Sequence, residues 1–129
     1  MYQRLFQACV FVAASSTAAA DPEFDYLLHC GGCHLEDGAG DPPLVPDLRA
    51  SLGTLSKTPE GRAYMAQVPG SAQAPLNDLE LASVLNWMLE RYVSGTREPF
   101  SPAEIAGYRG VTLMDPVKRR AQLLSSPAD

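Results

Sequence analysis

A cluster of sulfur and imidazole groups lies in the first third of the chain, at Cys30-Gly31-Gly32-Cys33-His34. Each thiol can add to one haem vinyl group, and the short spacing lets both sulfurs reach the same edge of the porphyrin. The histidine that follows can place an imidazole nitrogen beneath the ring to bind iron. The sequence therefore predicts one covalent haem c, held by Cys30 and Cys33 as thioethers, with His34 as the proximal ligand of the iron.

The same cysteine spacing also occurs in zinc sites and in thioredoxin-like redox sites. A closed zinc site needs two further Cys or His ligands, and the two histidines of the chain, His29 and His34, both adjoin the cysteines. A thioredoxin-like site needs alternating strands and helices, and the strand signal is poor. We expect His29, which is too close to His34 to reach the opposite haem face, to pack at the surface or against the haem edge.

Residues 1–20 have the pattern of a secretory signal peptide. Arg4 supplies a positive charge, an apolar run extends from Leu5 to Ala14, and Ala18-Ala19-Ala20 supplies small residues for cleavage. The alternative is an uncleaved anchor. Cleavage predicts a periplasmic protein with no membrane span in its mature form, in which Cys30 and Cys33 are the only cysteines.

The charge of the chain limits its partners. Nine basic residues stand against fifteen acidic ones once Arg4 is removed, a net charge of −6. An acidic surface argues against nucleic acid and anionic lipid, and it suits a partner with a basic docking patch. No nucleophile–base pair and no pair of carboxylates stands out, so we do not expect an enzyme that works through its side chains, whether or not the protein belongs to a larger oxidoreductase complex.

Capping residues and apolar spacing predict several helices. One extends from Pro22 to Cys30, after Asp21 as N-cap, and another from Asp78 to Val93, after the capping box of Asn77 and Glu80. Weaker signals predict short helices over 49–56 and 59–67, and 67–75 is expected to be loop. The apolar face of the 78–93 helix comprises Leu81, Val84, Leu85, Met88 and Tyr92, and its expected contact with the first helix joins Phe24 or Leu27 to Trp87 or Met88.

The loop after the haem-binding residues carries two further signals, Asp37-Gly38-Ala39-Gly40 and Pro46-Asp47-Leu48. Together with the cysteine pair and the capped 78–93 helix, these signals resemble class I c-type cytochromes over residues 22–93. The resemblance implies an all-α domain at 21–93 around one covalent haem. It also implies that a carbonyl of the proline loop, at Pro43 or Pro46, accepts a hydrogen bond from the haem histidine.

The same resemblance implies an exported electron carrier that cycles between Fe(II) and Fe(III). Its redox partner would be a periplasmic dehydrogenase or a membrane oxidase or reductase. A third possibility is a haem subunit that is permanently docked to a larger enzyme through its C-terminal part.

That part, residues 94–129, extends beyond the resemblance and is predicted to form two short helices, which begin near Ser101 and Asp115. The basic triplet Lys118-Arg119-Arg120 is interpreted as a solvated helix face, or alternatively as a contact for an acidic partner. The expected packing residues of the extension are Phe100, Ile105, Tyr108, Leu113, Val117, Leu123 and Leu124.

The sixth iron ligand has the weakest signal. Class I cytochromes use a methionine before the last helix, commonly followed by proline, and here the comparable place reads Val68-Pro69. Met65, three residues earlier, is the candidate ligand, whereas Met88 is expected in the core. The alternative is that Met65 packs into the core and leaves five-coordinate iron, which would bind a small gas or react with peroxide.

Overall fold

The computed structural model describes residues 21–125, which form helices and loops. This part of the chain has no strand, only an isolated bridge between Asp41 and Val45, so the all-α prediction is confirmed there. The predicted signal peptide, residues 1–20, lies outside the described residues. The helices are α1 (Pro22–His29), α2 (Gly31–His34), α3 (Leu48–Leu55), α4 (Pro59–Gln67), α5 (Pro69–Ala72), α6 (Asp78–Tyr92), α7 (Pro102–Arg109) and α8 (Pro116–Ser125).

Side-chain caps begin most of the longer helices. Each cap accepts a hydrogen bond from a backbone N–H of the first turn, which has no partner within the helix. The predicted capping box is confirmed: the Asn77 side chain accepts from the Glu80 N–H, and the Glu80 carboxylate accepts from the Asn77 N–H. The other caps of this kind are Asp21, Asp47, Thr58 and Ser101.

The contact between α1 and α6 involves a residue that the periodicity did not select. Tyr26 is fully buried, its ring lies 5.0 Å from that of Trp87, and its hydroxyl donates to the Leu35 carbonyl at 2.7 Å. Phe24 and Leu27 are 61% and 42% exposed, so the prediction that they make the crossing contact is wrong. A tyrosine ring fills this contact because its hydroxyl has a backbone acceptor.

The apolar face of α6 is as predicted: Leu81, Val84, Leu85 and Met88 are buried, and Tyr92 is half-buried. One loop prediction is wrong, because residues 69–72 within the expected loop 67–75 form the short helix α5. Its proline occupies the first helical position, where a missing N–H costs nothing.

The C-terminal extension folds against the rest of the chain. Two helices are confirmed there, and Phe100 and Ile105 belong to the buried core. Tyr108, Leu113 and Leu123 are partly buried against it. Val117 and Leu124 are 50% and 41% exposed, so their predicted packing role is wrong.

Polar contacts fix α7 to the body of the protein. Arg62 of α4 is 8% exposed and donates to both Glu104 carboxylate oxygens, at 2.6 and 2.7 Å, and to the carbonyls of Glu98 and Pro99. Its guanidinium also lies 3.9 Å from the centre of the Phe100 ring. This buried cation therefore has both an ionic partner and hydrogen-bond acceptors, which a charge in the protein interior requires.

No helix between residues 21 and 125 combines the length and the apolar character needed to cross a membrane.

Candidate functional site

The two cysteines and His34 lie in one helical turn directly after α1. The Cys30 N–H donates to the Tyr26 carbonyl at 2.8 Å, and the Cys30 carbonyl accepts from the N–H groups of Cys33 and His34. Residues three and four apart share one side of a helical turn. The backbone therefore presents both thiols and the imidazole in the same region, as the sequence predicted.

The imidazole of His34 is oriented by the proline loop. Its Nδ1 lies 3.2 Å from the carbonyl oxygen of Pro46. A carbonyl oxygen can only accept, so Nδ1 carries the hydrogen and Nε2 keeps its lone pair. Pro46 is thus the acceptor that the sequence left open between two prolines, while the Pro43 carbonyl accepts from Arg120 instead, at 2.5 Å.

Burial favours the metal-binding form of this histidine. It lowers the pKa of His34, and the hydrogen bond to Pro46 raises it by a smaller amount. The nearby Arg120 guanidinium also lowers the pKa of His34. The ring is therefore neutral over a wider pH range, and neutral imidazole is the form that coordinates metals.

A glycine allows the proline loop to approach His34. Gly40 has φ of +64°, and its N–H donates to the His34 carbonyl at 3.0 Å. A Cβ at this position would lie 2.6 Å from the Pro46 oxygen and 2.7 Å from the Val45 oxygen. The second glycine of the Asp37–Gly40 stretch is therefore required both by its left-handed backbone and by the close approach of the carbonyl that orients His34.

A pocket of about 420 Å³ lies beside these groups. This volume falls within the roughly 300–1,000 Å³ of small-molecule and cofactor sites. Cys30, Cys33 and His34 line it, and so do the half-buried His29 and the buried Met65 of α4. All the sequence-predicted site residues therefore meet at one pocket, although Cys33 is exposed at its edge.

The pocket is mostly apolar, and two buried methionines reach it. Met65 and Met88 are 4% and 6% exposed, and both line the wall. Met65 thus lies in a helix and in the core, as expected if it is a packing residue. It also lines the pocket, as a ligand of the iron must. The other apolar wall residues of α3 and α6 are Leu48, Leu52, Leu55, Leu81, Val84 and Leu85, and Val68, directly after α4, also lines the wall.

Two polar residues of the pocket escaped the sequence analysis. Tyr64 is 5% exposed and lines the wall from α4, and Arg120 lines it from α8. The interpretation of 118–120 as a solvated face is wrong for Arg119 and Arg120, which are both half-buried, whereas Lys118 is exposed. Pro116 also lines the pocket, and the four-residue spacing from Pro116 to Arg120 is the helical signal that would have placed both on one side of α8.

The two cysteine thiols differ in their surroundings. Burial, as the largest cause, together with the nearby Asp25 and Cys33 raises the pKa of Cys30 to about 11. Cys33 is exposed, and both cysteines are free thiols. Without a ligand, the Cys30 thiol therefore stays protonated at neutral pH.

The donor set fits a covalently held haem. A mostly apolar pocket of cofactor size has two free thiols at one end, a neutral histidine with its Nε2 available, and a methionine thioether in its wall. Cys30, Cys33 and His34 would hold the haem, and Met65 would supply the sixth ligand. Thiolate-derived, imidazole and thioether groups are the protein ligands and anchors that haem takes.

A scan against protein-family models finds no family that matches the chain, and a search of curated proteins finds no match either.

Proposed function

We propose that this protein is a monohaem c-type electron carrier. The observation that carries the proposal is the meeting of Cys30, Cys33, His34 and Met65 at one apolar pocket, with the His34 ring oriented by the Pro46 carbonyl. When bound, haem supplies the one-electron Fe(II)/Fe(III) couple.

The chain's residues have separate tasks in this proposal. Cys30 and Cys33 would hold the haem through thioethers to its vinyl groups. His34 would bind the iron through Nε2, and the Pro46 carbonyl, which accepts from Nδ1, would orient its ring and increase its basicity. Met65 would supply a soft thioether ligand, which favours Fe(II) and would raise the reduction potential.

The pocket lining and the exposed edge have separate roles in this proposal. Leucine and valine side chains exclude water and keep the local dielectric low, which tunes the potential. Cys33 is exposed, so the thioether that it forms lies at the surface, where a redox partner can approach. A periplasmic dehydrogenase or a membrane oxidase or reductase is the class of partner that we propose.

The test is to produce the full chain in a bacterium that attaches haem to exported proteins, and to measure the mass of the denatured product. We expect a mass increase of one haem, and its loss when Cys30 and Cys33 are both replaced by Ser. A chain without covalent haem would contradict the proposal.

Optical spectra then separate an electron carrier from a five-coordinate haem protein. We expect the weak far-red charge-transfer band of Met–His ligation in the ferric protein, and no rapid binding of CO to the ferrous protein. His34→Ala should abolish the low-spin spectrum, whereas His29→Ala, at the other pocket histidine, should keep it. Rapid CO binding together with a missing far-red band would favour the gas-binding or peroxide-reactive alternative.

A further inference from the structure

The pocket wall carries a positively charged side chain but no negatively charged one. Within residues 21–125, the lining contains no Asp or Glu, and apart from the two histidines its only ionisable cation is Arg120. A guanidinium stays charged at any ordinary pH. Arg120 is half-buried, so its charge is partly desolvated in a wall that is otherwise mostly apolar, and an anion is a favourable partner for it. The wall is therefore complementary to an apolar ligand that carries a carboxylate.

Arg120 has unused hydrogen-bonding capacity. It donates from Nη2 to the Pro43 carbonyl at 2.5 Å and also interacts with the Tyr64 hydroxyl through a side-chain hydrogen bond. No carboxylate of the described part of the chain lies within ion-pairing distance of it. Since a guanidinium has five N–H donors in a planar fork, Arg120 can hold the loop and still bind a carboxylate.

Tyr64 provides a second donor beside Arg120. Burial raises the pKa of Tyr64, and its interaction with the Arg120 guanidinium opposes that rise only in part. The hydroxyl therefore keeps its hydrogen at neutral pH. It belongs to α4 and the guanidinium to α8, so the two donors reach the pocket from separate helices.

We propose that Arg120 and Tyr64 form a carboxylate-binding subsite that takes a propionate of the haem. The inference rests on the proposed function. The propionates are the carboxylates that a haem would bring into the pocket, so this subsite would bind one of them in addition to the thioether links at Cys30 and Cys33. The C-terminal extension would thus contribute to cofactor binding and to the reduction potential.

The test uses the holoprotein and four variants: Arg120→Gln, Arg120→Lys, Tyr64→Phe and Arg119→Gln. Arg119 is the matched control, because it is the neighbouring arginine of α8 and does not line the pocket. The two readouts are the midpoint potential at fixed pH and the resonance Raman bands of propionate bending, which respond to hydrogen bonds at the carboxylate.

We expect Arg120→Gln to lower the midpoint potential, because loss of a positive charge near iron favours Fe(III). Arg119→Gln should lower it less. The propionate-bending bands should shift in Arg120→Gln and in Tyr64→Phe, remain in place in Arg119→Gln, and return toward their wild-type position in Arg120→Lys, which retains a charged donor.

Two negative results have different meanings. Wild-type protein with covalent haem, but with the same propionate bands and potential in Arg120→Gln as in Arg119→Gln, would overturn the subsite alone. Unshifted propionate bands in both Arg120→Gln and Tyr64→Phe would also overturn it. Wild-type protein that carries no covalent haem would overturn the proposed function and the subsite together.

Discussion

Met65 and Met88 are a natural pair for identifying the sixth ligand. Both are buried and both line the pocket, one from α4 and one from α6. Deletion of either side chain removes a similar volume of apolar contacts, so stability alone cannot distinguish a ligand from a packing residue. Spectra of the proposed haem iron can distinguish the two roles, because coordination acts on the electronic states of the iron.

We expect Met65→Ala to lose the far-red band of the ferric protein, to bind CO rapidly when ferrous, and to have a lower midpoint potential. Met88→Ala should retain the band and the potential. Each variant should lose about 2–5 kcal/mol of unfolding free energy, the usual cost of truncating a buried methionine. Optical spectra, CO titration and urea denaturation measure these effects, and loss of the band in Met88→Ala alone would reverse the assignment.

Gly40 offers a second test at this scale. Gly40→Ala places a Cβ against the Pro46 carbonyl and forces an L-residue into the left-handed region. We expect a loss of about 1–3 kcal/mol in unfolding free energy, and a changed midpoint potential because the His34 acceptor must move. Gly107→Ala, where a Cβ meets nothing within 4 Å, should leave the midpoint potential unchanged and raise the unfolding free energy by up to about 1 kcal/mol, because alanine is the better helix former in α7. Equal stability and potential in the two variants would contradict the role given to Gly40.

At the scale of elements, the ion pair between α4 and α7 links the extension to the helix that carries Met65. Arg62 holds the pKa of Glu104 below its ordinary value. The carboxylate therefore stabilises the fold fully above its unfolded-state pKa, about 4.3. That contribution is lost as the pH falls through the lower pKa of the folded protein.

We expect Glu104→Gln to lower the unfolding free energy by about 1–3 kcal/mol at pH 7, the cost of weakening hydrogen bonds to a charged group. The difference from wild type should shrink below about pH 4, as measured by urea denaturation at several pH values. Glu60→Gln, at an exposed position of α4, is the control and should stay close to wild type. A gap for Glu104→Gln that is independent of pH would show that the ion pair is not its cause.

Local signals predicted the elements better than their contacts. Caps and first-turn prolines act within a few residues, so the starts of α1, α4, α6 and α7 were predicted closely. Tyr26 was missed because its burial depends on Trp87, sixty-one positions away in the sequence, and on a carbonyl acceptor in the following loop. Helical periodicity on α1 could not distinguish the buried tyrosine from the exposed leucines beside it.

The site was predictable to a similar degree. Cys30, Cys33 and His34 are close in the sequence, so their place at one shared site could be predicted without the fold. The choice of Pro46 over Pro43 depends on a hydrogen bond across twelve residues. Arg120 depends on how α8 docks, which no local pattern specifies.

At the scale of the whole molecule, residues 94–125 are part of the core rather than an appendage. Phe100 and Ile105 are 4% and 0% exposed. The Asn86 side-chain amide accepts from the Phe100 N–H at 2.6 Å and donates to the Phe100 carbonyl at 3.0 Å. Arg109 donates to the carbonyls of Ala72, Ala74 and Leu76, which fixes the loop before α6. The division of the chain at residue 93 therefore does not separate two independently packed units.

We expect a chain that ends after Val93 to lose about 3–6 kcal/mol of unfolding free energy. This estimate counts the burial of the Phe100 and Ile105 side chains alone, at about 1.5–3 kcal/mol each. Chemical denaturation of the truncated and full-length haem-loaded proteins measures the loss. A chain that ends after Ser125 is the control, because it keeps every described helix, and equal stability of all three would contradict this view of the extension.

The position of Arg120 also has a consequence for the order of events during synthesis. The thiols and His34 leave the ribosome long before α8, yet Pro116 and Arg120 form part of the pocket wall. An emerging chain therefore presents Cys30, Cys33 and His34 while one side of the pocket is still missing. The pocket wall is complete only once α8 has been made and has docked.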